Sequence, residues 1–265
     1  MRKLLLPVDA TYIVRRVHKA NPAQDPLEKA KGAIETAHYS LRRAMREHKP
    51  THCILAFDAG GPNWRHALYP AYKAERSPIP EELQAELLNY KAHLRSEGWA
   101  VAEHPGFEAD DTLGSAAFTA GCELGSEVDV VVLATDKDIA CLGQYGARVY
   151  DHFGKEWHDD AWCRAKTGVG LNRLQDWLAL VGDVTDGVPG VDDVGAKTAA
   201  KLLLEHGDLA GVLAAADTIK GKVGEKIREQ TDRARLSRQL TALRLDLFGS
   251  SLDWDALRVP AAYLH

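Results

Sequence analysis

Three stretches constrain this chain more than anything else in it: KLLLPVD (3–9), THCILAFD (51–58) and VDVVVLATD (128–136). Each is a short apolar run closed by an aspartate. The third is apolar at successive positions rather than alternating, as a strand buried on both faces of a parallel sheet must be. In open parallel sheets the ligand crevice lies beyond the carboxyl ends of the strands, so Asp9, Asp58 and Asp136 should converge there. Helical stretches fill the gaps at 26–48, 80–97 and 109–124, the second opening at Pro80 before Glu81 and Glu82. GARVYD and KEWHDD read as a further strand pair at the sheet edge. Strands alternating with helices give an α/β fold with a mostly parallel central sheet flanked by helices. Beyond about residue 160 the pattern is helical, through LNRLQDWLALVG, GAKTAAKLLLEHG, LAGVLAAAD and a basic run. The expected division is an α/β core over 1–160 and a helical region over 161–265.

Composition closes several alternatives. With 45% hydrophobic and 27% charged residues the chain is an ordinary globular one, and disorder is excluded. No apolar run approaches the roughly 18 residues that span a bilayer, and the opening run is too short for a signal peptide. Four scattered cysteines without a C-x-x-C pair read as free thiols in a reducing, cytoplasmic compartment. There is no G-x-x-x-x-G-K-[ST], G-x-G-x-x-G or G-x-S-x-G, which removes the common nucleotide and acyl-transfer readings.

The acids cluster further than three strand ends require. Asp138 follows Asp136 at i+2, GFEADD packs Glu108, Asp110 and Asp111 at a helix start, and Asp183 and Asp186 stand three apart in LVGDVTDGVPGV, where they face the same way. One strand-ending Asp is readily explained as a helix N-cap. A helix N-terminus favours each acid by only about 0.3–1 kcal/mol, and mutual repulsion cancels much of that. Nine carboxylates held together call for hard cations, and an oxygen-only donor set selects Mg²⁺ or Mn²⁺ over zinc.

Two further signals point to an anionic polymer. In GVPGVDDVGAKTAAKLL, Gly187, Gly190 and Gly195 punctuate a turn before a helix that Lys197 opens, which suits a phosphate and the grip of a DNA backbone without sequence reading. NWRHALYPAYKAERSPIP, directly after Asp58, interleaves Arg65, His66, Tyr72, Lys73 and Arg76, and a tyrosine there suits stacking on an unpaired base. Charge follows the same plan: residues 1–50 balance at +6, 101–190 at −10 and 219–244 at +5. A net −5 therefore sums an acidic centre and basic flanks.

Taken in order, VDATYIVRR, FDAGGPNWRHALYPAYKAERSPIP, GFEADD, LATDKD and LVGDVTDGVPGVDDVGAKTA resemble the 5′-nuclease (flap endonuclease) superfamily, specifically the bacterial and phage 5′–3′ exonucleases. That group includes the 5′-nuclease domain of DNA polymerase I. The N-terminal half is most similar to the small stand-alone exonuclease IX type. The resemblance implies a PIN-like nuclease core, a helical arch over about 65–100 and a helix-three-turn-helix with its hairpin at 187–198. The implied activity is structure-specific hydrolysis of DNA phosphodiester bonds at 5′ flaps and ends with two metal ions. By motif match Asp9, Asp58, Glu108, Asp110 and Asp111 hold one metal and Asp136, Asp138, Asp183 and Asp186 complete the second. Lys73 and Arg76 contact the scissile phosphate and Tyr72 stacks on the terminal base. Arg65 and the hairpin residues Gly190, Asp193, Val194, Gly195, Ala196, Lys197 and Thr198 contact DNA. A K⁺ ion is implied on the carbonyls of Leu180, Val181, Pro189, Val191 and Val194. The implied partner is DNA with a 5′ flap or single-strand/duplex junction, bound by a monomer with no membrane and any polymerase in trans.

Departures from the pattern are Ala10 after the first Asp and Asp193 at a hairpin position that is usually Gly. Unlike the exonuclease IX type, this chain keeps the Asp183/Asp186 pair. The competing readings are a junction-binding protein with weak or no nuclease activity, and a PIN-like RNase, against which the hairpin motif counts.

Overall fold

The computed structural model describes residues 2–264. The chain runs β1 (Lys3–Asp9), α1 (Ala10–Ala20), α2 (Pro26–His48), β2 (His52–Phe57), α3 (Trp64–Leu68), α4 (Glu81–Ser96), β3 (Val101–Glu103), α5 (Ala109–Leu124), β4 (Val128–Leu133), β5 (Arg148–Asp151) and β6 (Glu156–Trp157). The helical region follows with α6 (Asp160–Thr167), α7 (Leu174–Val181), α8 (Ala196–His206), α9 (Leu209–Ala214), α10 (Gly221–Glu229) and α11 (Thr231–Leu240).

The strands form one sheet in the order β3-β2-β1-β4-β5-β6, parallel except for the β5–β6 edge hairpin. Each central strand buries both faces. Leu6, Val8, Leu55, Phe57, Val131 and Leu133 pack toward α1, α2 and α4, while Leu5, Ile54, Val130 and Val132 pack toward α5. This is why the strands read as continuous apolar runs. Strand order reverses at β1, between β2 and β4, and at that switch point the carboxyl ends leave a crevice. Helix α2 starts where Pro26 follows an Asp25 cap that accepts the Glu28 N–H at 2.9 Å, and it buries Ala30, Ala33, Ala37, Leu41, Ala44 and Met45 as one stripe.

Two expectations are corrected. Within the helical arch expected over about 65–100, α4 does not stand clear of the core, because it buries Leu83, Leu87, Tyr90 and Leu94 there. Only the non-helical turns of 69–80 overhang the crevice. Nor is everything after residue 160 part of the helical layer. The chain returns to the sheet after α11: Leu252 and Leu257 join the core on the α5 side and Val259 and Tyr263 the core on the α2 side, and the Cys53 N–H donates to the Leu257 carbonyl at 2.8 Å. No helix among the described residues is long and apolar enough to cross a membrane.

The helical layer has its own core, built on Leu174, Leu178, Leu203, Val212 and Ile227. The hairpin between α7 and α8 is closed by paired bonds between Asp183 and Val188 (2.9 and 2.8 Å) and by the Val191 N–H on the Leu180 carbonyl (2.8 Å). Gly190 sits at φ +62°, where a Cβ would lie 2.6 Å from the Gly182 nitrogen and 2.7 Å from the Val181 oxygen. Gly190→Ala is therefore expected to destabilise the protein by roughly 1–3 kcal/mol, read as a lower urea midpoint with an unchanged slope.

Candidate active site

The crevice is a cavity of about 760 Å³ at the carboxyl ends of β1, β2 and β4. Asp9, Asp58, Glu108, Asp110 and Asp136 line it, together with Lys73 and Arg76 from the overhanging turns and Arg15 and Arg16 from α1. Several of the acids are caps as well. Asp9 accepts the Tyr12 N–H (2.8 Å) and caps α1, and Asp136 accepts the Asp138 N–H (3.1 Å) and caps the 3₁₀ stretch Lys137–Tyr145. Asp58 accepts the Ala109 N–H at 2.8 Å, pinning the start of α5 to the end of β2. Capping and convergence are thus the same arrangement: the helices that the acids cap all begin at the crevice.

The carboxylates fall into two sets. Glu108, Asp183 and Asp186 have cationic partners. The Lys73 ammonium is 2.6 Å from Glu108 and 3.5 Å from Asp186, Arg76 donates to Asp186 at 2.5 Å, and Lys137 donates to Asp183. Burial alone would raise Glu108, but Lys73 and Arg65 hold it below the ordinary carboxylate range. Asp9, Asp58, Asp110 and Asp136 have no ion pair among the described residues. Burial, with Asp58 and Asp136 nearby, pushes Asp9 up to about 7, and burial with Asp9 and Asp136 pushes Asp110 well up. Asp138 is pushed to about 8 by burial and Asp136, and its Oδ1 is buried without a hydrogen-bond partner, with only the Lys137 ammonium 3.4 Å away.

Hard divalent cations fit this donor set. It is oxygen-only, half of it lacks an ion pair among the described residues, and one buried oxygen is unpartnered.

Lys73 is held in place by its backbone. It occupies the left-handed region at φ 53°, its N–H donates to the Asp186 carbonyl at 2.9 Å, and a Cβ at Gly187 would lie 2.9 Å from the Ala71 oxygen. The turns of 69–80 and the α7–α8 hairpin therefore interlock at the cavity wall.

Several expected site residues stand elsewhere. Asp111 is wholly buried and points away from the cavity: Arg65 grips it bidentately at 2.8 and 2.9 Å, and Trp64 Nε1 and the Arg244 N–H also donate to it. It does not line the cavity with the other acids, and its oxygens are engaged within the protein. Arg65, 2% exposed, is closed to DNA for the same reason. Tyr72, 3% exposed, donates its hydroxyl to Glu108 at 3.0 Å, so its ring has no open face for a base. In the hairpin, Gly190 and Val194 are buried, whereas Asp193, Gly195, Ala196 and Lys197 are exposed and Thr198 half-buried. The carbonyls expected to hold K⁺ have other partners: Leu180 accepts Val191 N–H, Val191 accepts Val194 N–H, and Pro189 accepts the Arg233 guanidinium at 2.8 Å. A carbonyl oxygen carries two lone pairs, so these bonds do not close the hairpin to K⁺.

Sequence reasoning missed α1 and with it Arg15 and Arg16 on the cavity wall. The signal was present in Ile13, Val14 and Val17 at helical spacing after the Asp9 cap. It also missed Lys137, which stands between Asp136 and Asp138.

Comparison with known proteins follows the same division. Residues 3–168 match the family model described as 5′-3′ exonuclease, N-terminal resolvase-like domain, and residues 169–262 match 5′-3′ exonuclease, C-terminal SAM fold. The chain is 32% identical over 248 residues to flap endonuclease Xni of Shewanella amazonensis, covering 93% of this chain and 94% of the relative. It is 31% identical over 245 residues to flap endonuclease Xni of Serratia proteamaculans, covering 92% and 93%. Among solved structures, the 5′-exonuclease of phage T5 with bound divalent metal ions (zinc) aligns with a TM-score of 0.72 at 20% identity, over 91% of this chain and 90% of that one. The catalytic core of Rad2 in complex with a DNA substrate aligns at 0.57 with 15% identity, over 96% and 83%.

Two outcomes test this geometry. A carboxyl whose pKa is raised on folding stabilises the fold below its unfolded value and loses that contribution as pH rises through 7–8, whereas cation binding needs the ionised form. The gain in Tm on adding saturating Mg²⁺ should therefore be larger at about pH 8.5 than at about pH 6. Arg65→Met strands Asp111 as a buried unpaired charge and should cost about 3–5 kcal/mol in urea unfolding, most of it recovered by adding Asp111→Leu.

Proposed function

The chain belongs to the 5′-3′ exonuclease family, and from that premise we propose that it is an Mg²⁺-dependent structure-specific 5′-nuclease hydrolysing DNA at 5′ flaps and ends. The observation that carries this reading is one cavity in which four carboxylates without ion pairs face Lys73 and Arg76. Asp9, Asp58, Asp110 and Asp136 are the residues to hold one Mg²⁺ (or Mn²⁺), and Asp138, Asp183 and Asp186 a second. Divalent ions so held supply a water of lowered pKa and charge neutralisation at the phosphate.

The remaining chemistry belongs to side chains of this chain. Lys73 and Arg76 now lie on Glu108 and Asp186, and a phosphate entering the cavity offers both a stronger anion. Preorganised cations aimed at charge developing on the phosphoryl oxygens are the largest single contribution such a site makes. Arg15 and Arg16, nearly two turns beyond Asp9, extend the positive wall along the path a 5′ strand takes. The duplex lies across Lys197 and Thr198 at the start of α8 and the basic faces of α10 and α11, contacts that position the backbone without reading bases. A K⁺ ion on the carbonyls of that hairpin, where Arg233 donates to Pro189, stays part of this reading.

Cleavage of a labelled 5′-flap oligonucleotide in Mg²⁺ tests the assignment. Asp136→Asn with Asp138→Asn should abolish turnover, and Lys73→Ala should lower it by roughly 10²–10³-fold while flap binding is retained. Equal cleavage by the double variant would remove the metal assignment. Tight flap binding by the wild type with no turnover in Mg²⁺ or Mn²⁺ would make the protein a junction binder.

A further inference from the structure

A second convergence of donor atoms lies outside the cavity, at the β5–β6 edge. Asp151 closes β5, Glu156 opens β6 and His158 follows it, and the tight hairpin brings one ligand atom from each within 4.8 Å of the others. Asp151 is 7% exposed and has no Lys or Arg at ion-pair distance among the described residues. Its Oδ1 accepts the Thr135 hydroxyl (3.1 Å) and the N–H groups of Phe153 and Gly154 (2.9 Å each), while Oδ2 accepts no hydrogen bond from the described residues. A Cβ on Gly154 would come within 2.6 Å of Oδ2, so glycine keeps the space beside that oxygen clear.

His158 is 4% exposed, and its ring lies stacked on Trp162 at 3.9 Å. Its Nδ1 is buried with no partner, and Nε2 faces Glu156 Oε1 across 3.9 Å, beyond hydrogen-bond range. A buried histidine ordinarily satisfies a ring nitrogen through a hydrogen bond, and here the fold offers none. A comparable trio, His38, His93 and Glu97, also has a buried Nδ1 without a partner on His38, but there the Tyr263 hydroxyl lies 3.1 Å from His38 Nε2 and donates to Glu97 at 2.8 Å, so a group of the protein already stands between the donors.

We propose that Asp151, Glu156 and His158 form a separate binding site for a first-row transition-metal dication of the zinc class. One imidazole and two carboxylates leave open coordination positions and favour such an ion over Mg²⁺, which the oxygen-only cavity prefers. The ion would clamp the β5–β6 hairpin. Through the Thr135–Asp151 hydrogen bond it would also stiffen the loop that carries Asp136.

The test uses the full chain, stripped by chelator and held in excess Mg²⁺ to fill the cavity, then titrated with Zn²⁺ by calorimetry and with Co²⁺ by visible absorption. One further equivalent of Zn²⁺ should bind, Co²⁺ should show the intense bands of a low-coordinate site with a nitrogen ligand, and Zn²⁺ should displace it. Glu156→Gln and His158→Phe, which retains the stack on Trp162, should each weaken Zn²⁺ binding roughly tenfold or more, and His93→Ala should leave it unchanged. Titrations that neither variant alters, or that His93→Ala abolishes, overturn the proposal. Should His158→Phe fail to fold, the imidazole NMR signals of His158 in the wild type decide, and their failure to move on adding Zn²⁺ overturns it equally.

Discussion

The bidentate pair between Arg65 and Asp111 is the interaction on which the other parts of the site depend. Arg65 donates at once to Asp111, to Glu108, and to the carbonyls of Leu240 and Ala242 at 2.9 and 2.7 Å. Asp111 accepts in turn from Trp64 and Arg244. One guanidinium therefore joins α3, the start of α5 and the segment after α11, three pieces from distant parts of the chain. Burying two charges is costly, and such a pair stabilises a fold only when nearly every donor and acceptor is engaged. Here they are. The pair fixes Glu108 at the cavity wall, and Glu108 orients Tyr72 and Lys73.

From that anchor the electrostatics of the cavity divides in a useful way. Glu108, Asp183 and Asp186 are neutralised by Lys73, Arg76 and Lys137, and Asp9, Asp58, Asp110 and Asp136 are left to repel one another. The first set keeps three cationic side chains extended and ordered, where an incoming phosphate can recruit them. The second set is a poor fold on its own and a good one with a dication. The ion-pairing observed thus occupies Asp183 and Asp186 with ammonium and guanidinium groups while Asp9, Asp58, Asp110 and Asp136 stay open.

Much of this was legible in the sequence. The bounds of α2 followed from Asp25-Pro26 and the alanine stripe, and the sheet followed from runs apolar on both faces. Convergence of Asp9, Asp58 and Asp136 followed from parallel topology alone. The acids at 110 and 111 were not separable in the same way. Successive helical residues diverge by about 100°, so one of the two had to turn from the crevice, and only the Arg65 partner says which. The spacing from Glu108 to Asp111 carried a capping box, formed in the structure, whose second member looks back at the helix start rather than outward. Tyr72 misled for a related reason. A tyrosine among cations suits a stacked base, but a hydroxyl within reach of a buried glutamate draws the ring inward. The place of α4 was misjudged on packing, since Leu83, Leu87, Tyr90 and Leu94 repeat at helical spacing and a helix with such a stripe buries it.

The net charge takes its meaning from the same separation. A total of −5 would oppose a polyanion if it were spread evenly, yet setting aside the nine carboxylates first considered as ligands leaves +4. Asp111 belongs to the remainder after all, because Arg65 consumes it. Arg65, equally, is lost to the basic side. Returning Asp111 lowers the balance to +3, and the Arg65–Asp111 pair cancels within it; the active charge is now assigned to specific places: Arg15 and Arg16 on the cavity wall, Lys73 and Arg76 above it, Lys197 at the hairpin exit and the α10–α11 run beyond. Fields from such groups add over a Debye length of about 10 Å, so a backbone approaching that side meets the cations before it meets the acids. The acids lie deepest, at the strand ends, and a phosphate reaches them only after the cations above have engaged it.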